Sequence, residues 1–145
     1  MRLEPIQAAF IDAIWEANTG NVSDFFYDFT TVDDAAAWVS DAIEKHERGE
    51  KYEYAILDGI EFIGMISPRY ITLDEVDIGI WITPMKQGMG YGKQALTLLI
   101  DDLKLKGVRR IHYETEPNNV PSQRLARAVG FSPVEGKEGL FELLL

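Results

Sequence analysis

The sequence has no cysteine among its 145 residues. This absence excludes disulfide bonds, thiolate metal sites and a cysteine nucleophile. Histidine is nearly as scarce, since only His46 and His112 are present, and neither lies in a zinc-ligand pattern. We therefore expect no metal site in this protein.

The sequence also has few positively charged residues and no long apolar run. The chain has 14 Lys and Arg against 24 Asp and Glu, which gives a formal net charge of -10. Such a charge repels the phosphates of nucleic acid, so we expect no nucleic-acid partner, whereas cationic molecules are favoured. No apolar stretch approaches the roughly 18 residues of a membrane span, and the N-terminus lacks the layout of a signal peptide. We expect a cytoplasmic protein without membrane association.

The length and the order of predicted elements indicate one mixed domain. With 46% hydrophobic residues, residues 1–145 suffice for one substantial core but not for two ordinary domains. Helical spacing predicts a first helix from Ile6 to Ala17, with a stop at Asn18-Thr19-Gly20. A capping signal at Thr31 predicts a second helix from Ala35 to Arg48.

Strands and helices then alternate along the rest of the chain. Apolar patterns predict strands at residues 52–57, 60–66, 76–82 and 109–115, and a closing hairpin at residues 131–145. The pair Asp58-Gly59 suits the tight turn between the first two strands. Apolar residues at helical spacing from Ala95 to Leu103 predict a helix that ends at Gly107. A second, short helix is predicted from Leu125 to Val129. This order predicts an α/β (α+β) domain with a mixed sheet.

The strongest local signal is the glycine-rich segment Gln87-Gly88-Met89-Gly90-Tyr91-Gly92, between a predicted strand and a predicted helix. Glycines let backbone amides approach an anion, and the helix start adds unpaired N–H groups. The segment is not a Walker loop, because Gln94 follows Lys93, nor a dinucleotide fingerprint, which needs glycine at Lys93. The residues alone leave a phosphate cradle and a flexible loop as equal alternatives.

This segment resembles the pyrophosphate-binding motif Q/R-x-x-G-x-G/A of the GNAT N-acetyltransferase superfamily, with Gln87, Gly90 and Gly92 in the three named places. The resemblance extends over roughly residues 52 to 134. It implies the GNAT fold, a mixed and mostly antiparallel central sheet flanked by helices. It also implies acetyl-CoA as cosubstrate and a primary amine as acceptor.

Two further segments are similar to the branch of ribosomal-protein N-terminal acetyltransferases. Asn119-Val120-Pro121-Ser122, followed by Gly130-Phe131, resembles its N-x-x-S…G-F signature. The segment from Asp77 to Pro84 is similar to its E-I-G-Y-W-I-x-P strand. Three ordered motifs are far more specific than any one of them.

The resemblance implies which residues bind the cosubstrate. The strand before the loop would splay from its neighbour and pair with the pantetheine arm. Three residues of that strand would line the arm: Ile80, Trp81 and Ile82. Backbone amides of seven residues would hold the pyrophosphate: Gln87, Gly88, Met89, Gly90, Tyr91, Gly92 and Lys93. Asn119 and Ser122 would also contact CoA.

The resemblance implies catalytic residues as well. Glu114 looks like the general base of some family members, and Asp77 is the second candidate. Ser122 is a candidate hydrogen-bond donor to the thiolate, because Ala126 stands where many members carry a tyrosine acid. Tyr113, like Tyr91, is expected to serve packing only.

The sequence leaves the identity of the acceptor undetermined. The resemblance implies an acceptor region built by the N-terminal helices and by a loop at Ser67-Pro68-Arg69-Tyr70. The acidic, aromatic patch from Asp24 to Asp34 is a candidate to join it, because aromatic residues with carboxylates suit a cationic amine. The motifs favour a protein N-terminus, whereas the net charge suits a small cation such as a polyamine or aminoglycoside. A non-catalytic acyl-CoA-binding module is the third alternative. A homodimer could complete the acceptor cleft.

Overall fold

A seven-stranded sheet forms the central layer of the computed structural model, which describes residues 1–145. Its strands are β1 (Arg2–Pro5), β2 (Tyr54–Asp58), β3 (Glu61–Tyr70), β4 (Glu75–Ile82), β5 (Arg110–Glu114), β6 (Ser132–Pro133) and β7 (Leu140–Leu144). They lie in the order β1-β2-β3-β4-β5-β7-β6. Only β4 and β5 are parallel, and every other neighbouring pair is antiparallel. The predicted mixed, mostly antiparallel sheet is confirmed.

Helices cover both faces of this sheet. They are α1 (Ile11–Ala17), α2 (Gly20–Phe25), α3 (Val32–Glu47), α4 (Tyr91–Leu105) and α5 (Val120–Val129), with short 3-10 turns at Ala8–Phe10 and Pro84–Lys86. Alternate strand residues point to opposite faces, so Ile78 and Ile80 pack in the core beneath α4 and α5, while Met65 and Trp81 pack in the core beneath α1 to α3. None of the helices combines the length and apolarity needed to cross a membrane.

The capping signal of the second predicted helix is confirmed at the start of α3. Thr31 Oγ1 accepts a hydrogen bond from the Asp34 amide at 3.3 Å, and the Asp34 carboxylate accepts one from the Thr31 amide at 3.1 Å. Further hydrogen bonds from Thr30 help to lower the pKa of Asp34 below its ordinary value. The box therefore satisfies amides that a helix start leaves unpaired.

The prediction for the first helix is right at its end and wrong at its start, since α1 ends at Ala17 with Asn18 as its C-cap. Residues Arg2–Pro5 form β1 on the free edge of β2, so the first helix begins at Ile11 rather than Ile6. Ile6 is nevertheless buried, which explains its helix-like apolar spacing. The predicted stop is confirmed at Asn18 and Thr19, whereas Gly20, with a φ of 54°, is already the first residue of α2.

The predicted acceptor loop at Ser67-Pro68-Arg69-Tyr70 is also wrong. These residues belong to β3 and pair with β4, from Ser67 opposite Gly79 to Tyr70 opposite Val76. The pairing with β2 stops at Ile66, and a proline costs least where a strand has a neighbour on one side only. The connection between β3 and β4 is confined to residues 71–74.

Glu53 is a buried carboxylate beneath the N-terminal helices, and it makes the stability of the fold depend on pH. Its residue exposure is 4%, and its carboxylate lies 3.0 Å from Lys51 Nζ. Burial raises the pKa of Glu53 above its ordinary 4.5, and Lys51 opposes the rise. The folded state therefore holds this proton more tightly than the unfolded state does, so stability falls as pH rises through the folded-state pKa.

Glu53→Gln is expected to remove this loss of stability at rising pH. The free energy of unfolding of the variant relative to the original chain should rise between pH 4 and pH 8, by about 1.4 kcal/mol for each unit by which the pKa is raised. Urea unfolding across this pH range measures it. Glu47→Gln, at an exposed position of α3, is the control and should show no such trend. A flat difference for Glu53→Gln would contradict the burial cost.

Candidate active site

The parallel strands β4 and β5 separate in the middle of the sheet. Their register runs from Glu75 opposite Arg110 to Ile78 opposite Tyr113 and then ends. β4 continues to Ile82 and stays paired with β3 on its other side. The segment from Gly79 to Ile82 therefore presents one backbone edge to a cleft, which is the geometry that accepts an added extended chain.

The loop after β4 bends sharply into α4. Gly88 and Gly90 have φ values of 77° and 86°, a region that disfavours any side chain. No side chain caps α4, so the N–H groups of its first turn are left for a ligand, and the helix dipole favours an anion there. Gly92 lets α4 approach α5, because a Cβ at this position would lie 2.9 Å from Leu125.

The side chain of Gln87 holds this loop in place. Its amide nitrogen donates to the Ile82 carbonyl at 2.8 Å and to Asn21 Oδ1 at 2.7 Å, and its oxygen accepts from Asn21 at 3.2 Å. The loop is thus fastened both to the end of β4 and to α2. With its side chain engaged in this way, Gln87 can offer a ligand only its backbone.

A cavity of about 360 Å³, called here the basic cavity, runs from the open edge of β4 to the starts of α4 and α5. It brings together eleven predicted cosubstrate residues: Ile80, Trp81, Ile82, Gln87, Gly88, Gly90, Tyr91, Gly92, Lys93, Asn119 and Ser122. Met89 is the exception, with its side chain largely in solvent. The indole of Trp81 is buried on the other face of the sheet, where it donates to Tyr27 Oη at 2.9 Å.

Charge distinguishes the basic cavity from the rest of the chain. Lys86, Lys93 and Arg124 line it, and no carboxylate does. Lys86 is paired with Glu61, whereas Lys93 and Arg124 form no salt bridge. In a chain of net charge -10, these cations make the basic cavity a local site for an anion.

A second cavity of about 310 Å³, called here the acidic cavity, lies beside the first. Three carboxylates line it, from Glu114, Glu116 and Glu138, and no lysine or arginine does. None of the three forms a salt bridge. Five residues line both cavities: Phe26, Ile80, Tyr113, Asn119 and Ser122. The two cavities therefore meet where β4 and β5 separate.

The catalytic candidates differ in position. Glu114 lines the acidic cavity, and Ser122 lies at the junction of the two cavities. Asp77 lines neither, and its carboxylate lies 3.0 Å from Arg69 Nη2 in a salt bridge on the sheet surface. The structure thus brings Glu114 and Ser122 together and leaves Asp77 apart.

The junction also contains a residue that the sequence assigned to packing. Tyr113 is 2% exposed, and its hydroxyl lies 2.7 Å from Ser122 Oγ. Burial raises the pKa of Tyr113 to about 12, and the Ser122 hydrogen bond opposes the rise. By contrast, Tyr91 bonds Asp58 at 2.8 Å, which links α4 to the β2–β3 hairpin.

Several lining residues were not predicted from the sequence: Asn21, Arg124, Glu116 and Glu138. Arg124 follows the N-x-x-S segment by two positions, so the start of α5 was a usable signal for it. The others depend on contacts between distant segments. Of the predicted acidic, aromatic patch from Asp24 to Asp34, Phe25 and Phe26 line the acidic cavity, but none of its carboxylates does. No group of three or more His, Asp or Glu side chains is arranged to hold a metal ion.

Comparison with known proteins agrees with this geometry. Residues 1–132 match the family model described as an acetyltransferase (GNAT) domain. The [ribosomal protein bS18]-alanine N-acetyltransferase of Haemophilus influenzae is 31% identical over 99 residues, which are 67% of this chain and 66% of that protein. Its counterpart in Haemophilus ducreyi is 29% identical over 72 residues, so the match spans 49% of this chain and only 50% of that relative.

A solved structure from Salmonella typhimurium shares the fold. It is an acetyltransferase that modifies the N-terminal serine of the 50S ribosomal protein L7/L12. The TM-score is 0.82 at 20% identity, and the superposition covers 99% of this chain and 94% of the other.

Proposed function

Because this chain belongs to the GNAT acetyltransferase family, we propose that it transfers the acetyl group of acetyl-CoA to a primary amine, with a protein N-terminus as the acceptor. The opposite charge of the two adjoining cavities carries this proposal. A polyphosphate cosubstrate fits the basic cavity, and an ammonium acceptor fits the acidic one. The two substrates meet at the separation of β4 and β5, which suits direct transfer in a ternary complex.

The donor would lie along the open edge of β4. The pantetheine amides can hydrogen-bond the free backbone groups between Gly79 and Ile82. The amides from Gln87 to Lys93 and the start of α4 would hold the pyrophosphate, with Lys93 and Arg124 adding charge. Most of these contacts are made by the backbone, so they tolerate many side chains.

Glu114 is the general base in this proposal. An α-amino group has a pKa near about 8 and a lysine-like amine near about 10, so the acceptor arrives largely protonated at neutral pH. Glu114, on the wall of the acidic cavity, accepts a proton from the ammonium, directly or through water. The neutral amine then attacks the thioester carbon. Asp77 is engaged by Arg69 outside both cavities, which favours Glu114 over it.

Departure of CoA places negative charge on sulfur at the junction of the cavities. Ser122 carries a hydroxyl at this junction that can donate a hydrogen bond to the sulfur. The amine nitrogen releases its second proton as the tetrahedral intermediate collapses, and the thiolate binds it. The products are an amide and CoA with a free thiol.

A small cation is the second candidate acceptor, because three unpaired carboxylates line the acidic cavity. The named relatives favour a protein N-terminus, since bS18 alanine is the substrate in the names of two of them. Cytoplasmic location and a homodimer that completes the acceptor cleft stay predictions. Sedimentation analysis tests the dimer.

Calorimetry followed by a thiol assay tests the proposed function. Acetyl-CoA is expected to bind, and free thiol is expected to appear on addition of N-terminal peptides but not of polyamines or aminoglycosides. The chain has no cysteine, so all thiol detected comes from CoA. Thiol release with polyamines alone would transfer the proposal to a small cation. Binding without release for any acceptor would favour a non-catalytic module, and no binding would contradict the whole assignment.

A further inference from the structure

Tyr113 and Ser122 form a hydroxyl pair at the junction of the two cavities. Tyr113 is the last residue of β5 in register with β4, and Ser122 lies in the first turn of α5. Their oxygens are 2.7 Å apart. The Ser122 amide bonds Asn119 Oδ1 at 3.4 Å, so the backbone of the serine is held as well.

The burial of Tyr113 favours one direction for this hydrogen bond. The Tyr113 hydroxyl has no hydrogen-bond partner except Ser122 Oγ, and its residue is 2% exposed. If Ser122 donated to Tyr113, the phenolic proton would have no acceptor within the protein, which is costly at a nearly buried position. Either oxygen could be the donor at this distance; with Tyr113 as the donor, the serine proton is free to point toward a third group.

That third group lies in the cleft, since Ser122 lines both cavities. Ala126, the position at which the tyrosine acid of many family members is absent, is fully buried and has no donor. We infer that Tyr113 is a positioning residue, which donates to Ser122 Oγ and thereby directs the serine proton to the sulfur of CoA. This inference rests on the proposed binding of CoA in the basic cavity.

The pair stabilises the thiolate without losing a proton. Burial raises the pKa of Tyr113 to about 12, whereas that of a thiol is about 8.5. Net transfer of the phenolic proton to the thiolate is therefore uphill. Ser122 holds the charge by a hydrogen bond as the carbon–sulfur bond breaks, and the sulfur finally binds the proton that the amine nitrogen releases. Both hydroxyls are unchanged at the end of the cycle.

The thiol pKa of bound CoA tests this inference without any acceptor. It is read from thiolate absorbance in a pH titration of the complex with CoA. Ser122→Ala should raise this pKa by about one unit, and Tyr113→Phe by about half a unit, which corresponds to a roughly threefold weaker hold on the thiolate. Because the tyrosine acts through the serine, Tyr113→Phe should add nothing in a Ser122→Ala background. Tyr52→Phe removes a hydroxyl outside both cavities and should leave the pKa unchanged.

Each outcome has a distinct meaning. An unchanged thiol pKa in folded Tyr113→Phe, or equal effects of that change with and without Ser122, would overturn the inference. Thermal unfolding and the Kd for CoA identify a variant that has merely lost its fold. If a variant has lost its fold, Ser122→Thr replaces it in the test. Because this variant keeps a hydroxyl, the thiol pKa of bound CoA must stay as low as in the original chain. If CoA binds with the expected shifts but no amine is acetylated, the inference stands and the proposed function fails.

Discussion

Replacing Glu114 by glutamine is expected to lower kcat by about 10²- to 10⁴-fold, the usual contribution of a general base. The amide keeps the size of the side chain but cannot accept the acceptor proton. The Kd for acetyl-CoA should change less than twofold, because Glu114 lines the acidic cavity and not the basic one. Steady-state thiol release and calorimetry measure the two quantities.

Asp77→Asn is the matched comparison for that result. It makes the same chemical change on the neighbouring strand, at a carboxylate paired with Arg69 and outside both cavities. Its turnover should stay within about twofold of the original chain. A large loss in Asp77→Asn with little loss in Glu114→Gln would reverse the assignment of the base, and little loss in both would remove it.

Gly64→Ala is expected to lower the free energy of unfolding by about 3 kcal/mol, and Tm by roughly 10 °C. A Cβ at Gly64 would overlap the carbonyl oxygen of Trp81 and lie 3.0 Å from Ile82 Cα. These are backbone atoms of β4, so the strand itself must move. The same shift displaces the open edge proposed for pantetheine, and the affinity for acetyl-CoA should fall with the stability.

Gly79→Ala provides the control on the same strand pair. Its Cβ would meet only Ser67 Oγ, at 3.4 Å, which is close to ordinary contact, so the loss of stability should stay within about 1 kcal/mol. Denaturant unfolding of the two variants gives the comparison. Equal stability of Gly64→Ala and Gly79→Ala would mean that β3 and β4 do not approach as closely as the structure has them.

Local signals in the sequence predicted the parts of the fold that local chemistry determines. The capping box at Thr31 and Asp34 needs only four residues, and the glycine loop needs only its own backbone angles. β1 was missed because its four residues acquire strand structure from the edge of β2, about fifty residues away. Ser67 to Tyr70 was placed in a loop through the family resemblance, and only the pairing with β4 shows that these residues extend β3.

In the candidate site, too, local motifs were predictable and contacts between distant segments were not. The sequence showed the loop motif formed by Gln87, Gly90 and Gly92. It also showed Glu114 as a carboxylate on a predicted strand. The sequence could not separate Glu114 from Asp77, because the salt bridge to Arg69 depends on the register between β3 and β4. Nor could it reveal the contact of Tyr113 with Ser122, which requires the chain to return from β5 into α5.

The free edge of β4 has a cost for the protein when no ligand is bound. Unpaired backbone groups on a strand edge are a template for pairing with another chain, and natural sheets usually cover or interrupt them. A cosubstrate that fills the cleft covers this edge and stabilises the fold by mass action, by about 2.7 kcal/mol at a hundred times its Kd. With acetyl-CoA as the proposed cosubstrate, its concentration would then set the stability and the aggregation tendency of this protein.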